Sequence, residues 1–142
     1  MATAKEILAA VDAIVASYKP LKILVFGSYA YGTPTYDSDV DFLVLKNFSG
    51  SDHEHNVRIR TAVNFPFPVD LLVRRPDVVK QRIKWNDFFL QEIMEKGIVV
   101  YAANDKGMGD QGRRRLRRRL AALKIQEEKP VRSSLLPLLA MH

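Results

Sequence analysis

The chain has 142 residues, of which 47% are hydrophobic and 27% charged, a balance that suits one soluble domain with a single core. It has no cysteine, which excludes a disulfide framework and a cysteine zinc site, and no apolar run approaches the ~20 residues of a membrane span. The net charge of +6 is unevenly placed: residues 113–142 hold nine Lys or Arg against two Glu, and residues 1–112 hold thirteen against fourteen acids. The body is therefore near neutral, and its composition does not point to a nucleic-acid-binding domain.

Residues 1–6 lack the basic-then-apolar plan of a secretory signal, so a cytoplasmic protein without a membrane partner is expected. Residues 3–18 read as a helix, with Thr3 and Glu6 at capping-box spacing and Ile7, Val11, Ile14, Val15 and Tyr18 on one stripe. Pro20 ends it. Residues 21–26 are apolar except for Lys22, the pattern of a strand buried on both faces. Ser28 is placed to cap a short helix at Tyr29, Ala30 and Tyr31, and a turn-rich stretch follows from Gly32 to Asp37. Residues 40–45 form the second strand.

Residues 47–51 read as a loop and residues 52–63 as a short helix. Pro66 and Pro68 precede a third strand over residues 69–73, and prolines so close suggest that it is short or lies towards a sheet edge. Pro76 suits the first turn of a helix that runs to Lys84. Asn86 is placed to cap a further helix bearing Phe89, Leu90, Ile93 and Met94, with Gly97 as its stop. Residues 98–101 make a last strand. Residues 102–112 read as a linker by composition, which divides the chain into a body of residues 1–103 and a basic, flexible extension of residues 104–142.

The chemistry gathers around three acids. Side chains alternate along a strand, so Asp39 and Asp41 point the same way while Val40 points into the core. Asp70 lies in the next apolar strand, Val69-Asp70-Leu71-Leu72-Val73. An Asp-x-Asp after a turn is also an ordinary solvated strand entry, and Gly-Ser is common turn chemistry; the weight comes from the combination. Adjacent carboxylates repel, and a divalent cation with a preference for hard oxygen ligands removes that penalty. Three such acids could hold two Mg²⁺ ions about 3.5–4 Å apart. Gly27 lets the backbone come close to a phosphate, and Ser28 opens a helix whose first amides favour negative charge.

These residues resemble the minimal nucleotidyltransferases of the DNA polymerase β-like superfamily, whose signature is Gly-Ser, a gap of about ten residues, Asp-x-Asp, and a third Asp on a later strand. Here they are Gly27, Ser28, Asp39, Asp41 and Asp70, and the match extends to Ser38 and to the helix-and-strand segment at residues 93–101. The resemblance implies an α/β (α+β) fold, a small mixed sheet flanked by helices. It implies that Asp39, Asp41 and Asp70 are catalytic and bind two Mg²⁺ ions, with Gly27, Ser28 and Ser38 at ATP or another NTP. It implies transfer of a nucleoside monophosphate, AMP by expectation, to a hydroxyl with release of pyrophosphate. The family often carries Arg or Lys where this chain has Tyr31. Small stand-alone members resemble the antitoxin partners of HEPN-domain ribonuclease toxins, which implies a protein partner in trans. The alternative is a non-catalytic antitoxin or adaptor that masks that partner.

Other signals are weaker. Asp37 is expected outside the metal shell, and His53 and His55 read as a solvated helix start. Arg74 and Arg75 follow the third strand and could meet a phosphate or an acidic partner. Tyr29, Tyr31 and Tyr36 could stack on a base, although packing is the commoner use, and Trp85 is expected between helices. The run Arg113-Arg114-Arg115-Leu116-Arg117-Arg118-Arg119 could bind RNA, an acidic partner or a membrane surface, readings not favoured over a disordered extension, although Leu116, Leu120 and Leu123 make a narrow helical stripe. Residues 133–142 resemble no ordered closing element, which raises a frameshift near the end of the gene as their origin.

Overall fold

A computed structural model describes the backbone of residues 1–141 and the side chains through Lys124. The elements in chain order are α1 (Ala4–Tyr18), β1 (Lys22–Phe26), α2 (Ser28–Tyr31), β2 (Val40–Leu45), α3 (Asp52–Ala62), β3 (Val69–Arg74), α4 (Pro76–Lys84), α5 (Phe88–Lys96), β4 (Ile98–Ala102) and α6 (Lys106–Met141). Both halves of the capping box close α1: Glu6 N–H donates to Thr3 Oγ1 at 3.1 Å, and Thr3 N–H donates to Glu6 Oε1 at 2.9 Å.

The four strands lie in the order β3-β2-β1-β4. The central β1 runs antiparallel to β2 and β4, while β2 and β3 are parallel. This is the small mixed sheet flanked by helices that the sequence resemblance implied. Alternation sorts its side chains onto two faces. Ile23, Val25, Phe42, Val44, Leu71 and Val73 pack with Ile7, Val11 and Ile14 of α1, Ile59 of α3 and Leu116 of α6. Leu24, Phe26, Leu43 and Leu45 pack on the other face with Val79 of α4 and with Leu90 and Ile93 of α5. The central strand is buried on both faces, and of the two alternatives that the flanking prolines left for β3, a short strand or an edge strand, it takes the edge.

Several expectations need correction. Gly27, not Ser28, is the N-cap of α2, and Asp87, not Asn86, caps α5 by accepting from Leu90 N–H at 3.1 Å. Trp85 is 71% exposed and does not sit between helices. His55 is buried rather than solvated: its Nδ1 accepts from Tyr18 Oη at 2.6 Å, and its Nε2 donates to the Ser49 carbonyl at 2.9 Å. Both ring nitrogens are thereby engaged inside the fold, and burial raises the Tyr18 hydroxyl above its ordinary pKa.

The largest correction concerns the chain after β4. The linker expected at 102–112 is mostly the first turns of α6, and the extension expected from residue 104 is packed helix through the described side chains. Its glycines explain both the linker-like composition and the packing. A Cβ on Gly112 would stand 1.5 Å from the Val99 carbonyl oxygen, and one on Gly109 would stand 3.3 Å from Tyr101 Cα. Glycine at these two positions lets α6 lie directly against the β4 backbone. Arg113 Nε donates to the Val100 carbonyl at 2.9 Å, and its other arm meets Asp12 Oδ1 of α1 at 2.7 Å. Leu116 and Leu120 then enter the core, where each buried leucine contributes roughly 1.5–3 kcal/mol. The reading of residues 133–142 lies outside the described side chains.

Candidate active site

The end of β1 sets the geometry. Phe26 pairs with Asp41 of β2, and Asp41 pairs with Asp70 of β3, so the three side chains lie in a row across the sheet on the α4–α5 face. The chain leaves β1 at Gly27 with φ 71 and ψ −150, a conformation reserved for glycine. A Cβ there would lie 2.0 Å from Asp41 Oδ2, so the missing side chain is the space the carboxylate occupies. The turn closes through Ala30 N–H and Tyr31 N–H, which donate to the Gly27 carbonyl at 3.0 and 2.9 Å. Gly32 N–H donates to the Ser28 carbonyl at 3.2 Å, and a Cβ on Gly32 would be 2.8 Å from Ser28 Cα.

Asp41 is half-buried, whereas Asp39 and Asp70 are exposed. Burial, and then the nearby Asp70 and Asp39 charges, push the Asp41 carboxyl up to about 6. Asp70 is exposed although its strand is largely apolar, because β3 lies at the edge of the sheet. As placed, no three acids or histidines among the described residues gather tightly enough to hold an ion. The donor set still has the chemistry of a hard-cation site, because it is all oxygen and because, after burial, the Asp70 and Asp39 charges help to raise the pKa of Asp41.

Ser38 is engaged within its own loop. Its Oγ accepts from Thr35 N–H at 2.8 Å, and its N–H donates to the Thr35 carbonyl at 3.1 Å, closing the loop that delivers Asp39. Asp37 stays exposed in that loop. Tyr29 is buried, with its hydroxyl accepting from Ala2 N–H at 3.1 Å, and Tyr36 is 85% exposed. Arg74 pairs with Asp52 at 3.3 Å at the far end of β3 from Asp70.

Three nearby side chains were not singled out for the site in the sequence. Phe89 of α5 is 55% exposed and meets Phe26 edge-on at 5.8 Å, so an aromatic wall flanks Asp41. Lys96, at the end of α5, stands 5.9 Å over the Tyr31 ring and brings a cation to the place where the family often carries one. Arg119 of α6 reaches back to α2, donating to the Tyr29 carbonyl at 2.9 Å, to the Ser28 carbonyl at 3.4 Å and to the Gly32 carbonyl. A signal for Arg119 existed: it stands three residues after Leu116 and four before Leu123, on the apolar stripe.

Comparison with known proteins decides the family. The model for "Polymerase beta, Nucleotidyltransferase" matches residues 10–106, from α1 through β4 and across all three acids. The chain belongs to the polymerase beta nucleotidyltransferase family. Two relatives of this nucleotidyltransferase come from Methanocaldococcus jannaschii, and both carry the name "Putative protein adenylyltransferase". One is 28% identical over 80 residues, covering 56% of this chain and 77% of the relative; the other is 32% identical over 79 residues, with the same two shares. A crystal structure described as a "putative nucleotidyltransferase" from Sulfolobus solfataricus superposes with a TM-score of 0.53. At 18% identity it covers 73% of this chain and 84% of its own, and shows the same fold. Among the described residues no helix is long and apolar enough to cross a membrane.

Proposed function

We propose that this nucleotidyltransferase moves AMP from ATP to a hydroxyl on a partner protein in the cytoplasm and that it depends on Mg²⁺. The observation that carries the reading is the contact of Asp41 with the space left by Gly27 while Asp70 stands beside it in register. That contact sets a carboxylate against the glycine turn, and the strand register sets Asp70 beside it, which supports a role for the pair at the turn. The names of the two archaeal relatives support adenylyl transfer to protein.

In this reading Asp39 and Asp41 bind both metals, Asp70 binds one, and Gly27 and Ser28 hold the triphosphate. Magnesium, when bound, offsets the carboxylate repulsion and stabilises the charge that develops as pyrophosphate departs. Asp70, exposed at the sheet edge, is open to an acceptor arriving from solvent. It takes the proton of the acceptor hydroxyl as that oxygen attacks the α-phosphorus; the new O–P bond forms as the bond to pyrophosphate breaks. Lys96 supplies a cation beside the turn, and the Phe26–Phe89 wall offers an aromatic face to a base. The partner follows the sequence expectation, a HEPN-type toxin for which this chain acts as antitoxin.

A second reading is favoured by the exposure of Trp85 at 71% and Phe88 at 72%. Aromatic side chains so exposed suit a surface that binds and masks a partner without chemistry. Calorimetric titration of ATP with and without Mg²⁺ separates the two. Adenylyl transfer requires Mg²⁺-dependent binding that the double substitution Asp39→Asn/Asp41→Asn removes, and label from α-phosphate-labelled ATP that passes to the partner. A folded protein that binds no ATP, alone or with its partner, leaves masking as the function.

A further inference from the structure

The buried side of α2 is held by an unusual partner. Four residues make a single helical turn, which is not stable by itself; the Ser28 carbonyl accepts from the Gly32 cap N–H at 3.2 Å, and the carbonyls that follow it in the turn lie beyond the reach of that ladder. All the side-chain donors to those carbonyls come from one residue more than eighty positions away. Arg119 Nε bonds the Tyr29 carbonyl at 2.9 Å, and its terminal nitrogen reaches the carbonyls of Ser28 and Gly32. Among the described residues Arg119 makes no ion pair. A half-buried guanidinium with only neutral acceptors carries a desolvation penalty, and burial lowers its pKa. Its neighbours on the run, Arg117 and Arg118, are exposed.

We propose that Arg119 is a positioning residue for nucleotide binding: from α6 it clamps the carbonyls of Ser28, Tyr29 and Gly32 and so fixes the Gly27–Gly32 turn against Asp41. The proposal rests on the nucleotidyltransferase reading for its effect on ATP, although the clamp itself does not. The planar fork matters more than the charge, because three carbonyls at different angles need donors in fixed directions. Lysine brings the charge on a flexible stem and cannot hold all three. The arrangement also explains why a helix outside the residues matched to the family bears on the site: α6 docks on β4 through Gly109 and Gly112, and Arg119 extends that anchoring to the turn.

The test uses the full chain with Arg119→Lys and Arg119→Ala, and Arg118→Ala as an exposed control on the same helix. Three quantities are read: hydrogen exchange at the amides of Ala30, Tyr31 and Gly32, affinity for Mg²⁺-ATP by calorimetry, and the melting temperature. The expected result for Arg119→Lys is exchange at those three amides about tenfold faster and Mg²⁺-ATP binding about tenfold weaker. The melting temperature and the exchange of β2 should stay near wild type, and Arg118→Ala should match wild type throughout. Unchanged exchange at the turn in Arg119→Lys overturns the proposal. Exchange that accelerates across the whole sheet in step with a lower melting temperature also overturns it, since that marks a general stabilising contact. If the wild type binds no ATP, the nucleotidyltransferase reading fails separately, and exchange at the three amides alone decides the clamp. Arg119→Ala extends the series: its turn should exchange at least as fast as that of Arg119→Lys, and a protected turn in that variant overturns the clamp as well.

Discussion

Asp41 is where the electrostatics of the site concentrate. Its carboxyl titrates at about 6 because burial and the charges of Asp70 and Asp39 disfavour ionisation. A folded pKa raised above the ordinary 3.8 means that the folded protein binds this proton more tightly than the unfolded chain does. The ionised group therefore opposes folding above about pH 6, and that opposition disappears as pH falls towards 3.8. Without metal, Asp41→Asn should melt roughly 2–5 °C above wild type at pH 8, with the gain shrinking by pH 4. Thermal melts at the two pH values check this, and a variant less stable at pH 8 would contradict it. Gly27→Ala should act oppositely. Its Cβ must displace the Asp41 carboxylate from 2.0 Å, and φ 71 with ψ −150 suits no L side chain. It should cost about 1–3 kcal/mol in denaturant unfolding and remove Mg²⁺-dependent ATP binding.

Among the elements, α6 separates what local rules reveal from what only packing decides. The Thr3 and Glu6 box announced α1, and the apolar run of β1 announced a central strand, because each signal lies within one element. The three acids were legible for the same reason, being at fixed spacing on strands with a readable period. The exposure of Asp70 was not, since it depends on which strand ends the sheet. Gly107, Gly109 and Gly112 read as a linker because glycine disfavours helix in isolation. In the fold two of them meet β4, and that contact outweighs propensity. Substitutions expose the difference. Gly112→Ala, with a Cβ 1.5 Å from the Val99 carbonyl oxygen, should destabilise the protein by about 2–4 kcal/mol, because backbone on both sides must move. Gly107→Ala meets nothing nearer than Asp105 Oδ1 at 3.5 Å and should leave stability unchanged or raise it by up to about 1 kcal/mol. Denaturant unfolding of the pair reads both, and equal effects would show that α6 does not dock through Gly112.

Across the whole molecule the basic excess is not one patch. Of the six arginines between 113 and 119, Arg113 ties α6 to β4 and α1, and Arg119 ties it to α2; Arg114, Arg115, Arg117 and Arg118 face solvent. A reading by charge alone assigns all six the same use, whether RNA or disorder, whereas the fold divides them between holding the helix and charging its outer side. Removing the segment after Gly112 would therefore confound the two, because it also takes Leu116 and Leu120 out of the core. Replacing only Arg114, Arg115, Arg117 and Arg118 with glutamine isolates the outer charge. Since each is exposed, the fourfold variant should keep its melting temperature within roughly 4 °C and retain Mg²⁺-dependent ATP binding. Any affinity of the wild type for single-stranded RNA should weaken, and its log–log salt slope should become shallower by up to about 0.7 for each phosphate contact removed. Binding titrations at several salt concentrations measure the slope. RNA binding that keeps both affinity and slope in the fourfold variant would move the nucleic-acid surface off α6, while a loss of ATP binding would show that the outer arginines serve the active site.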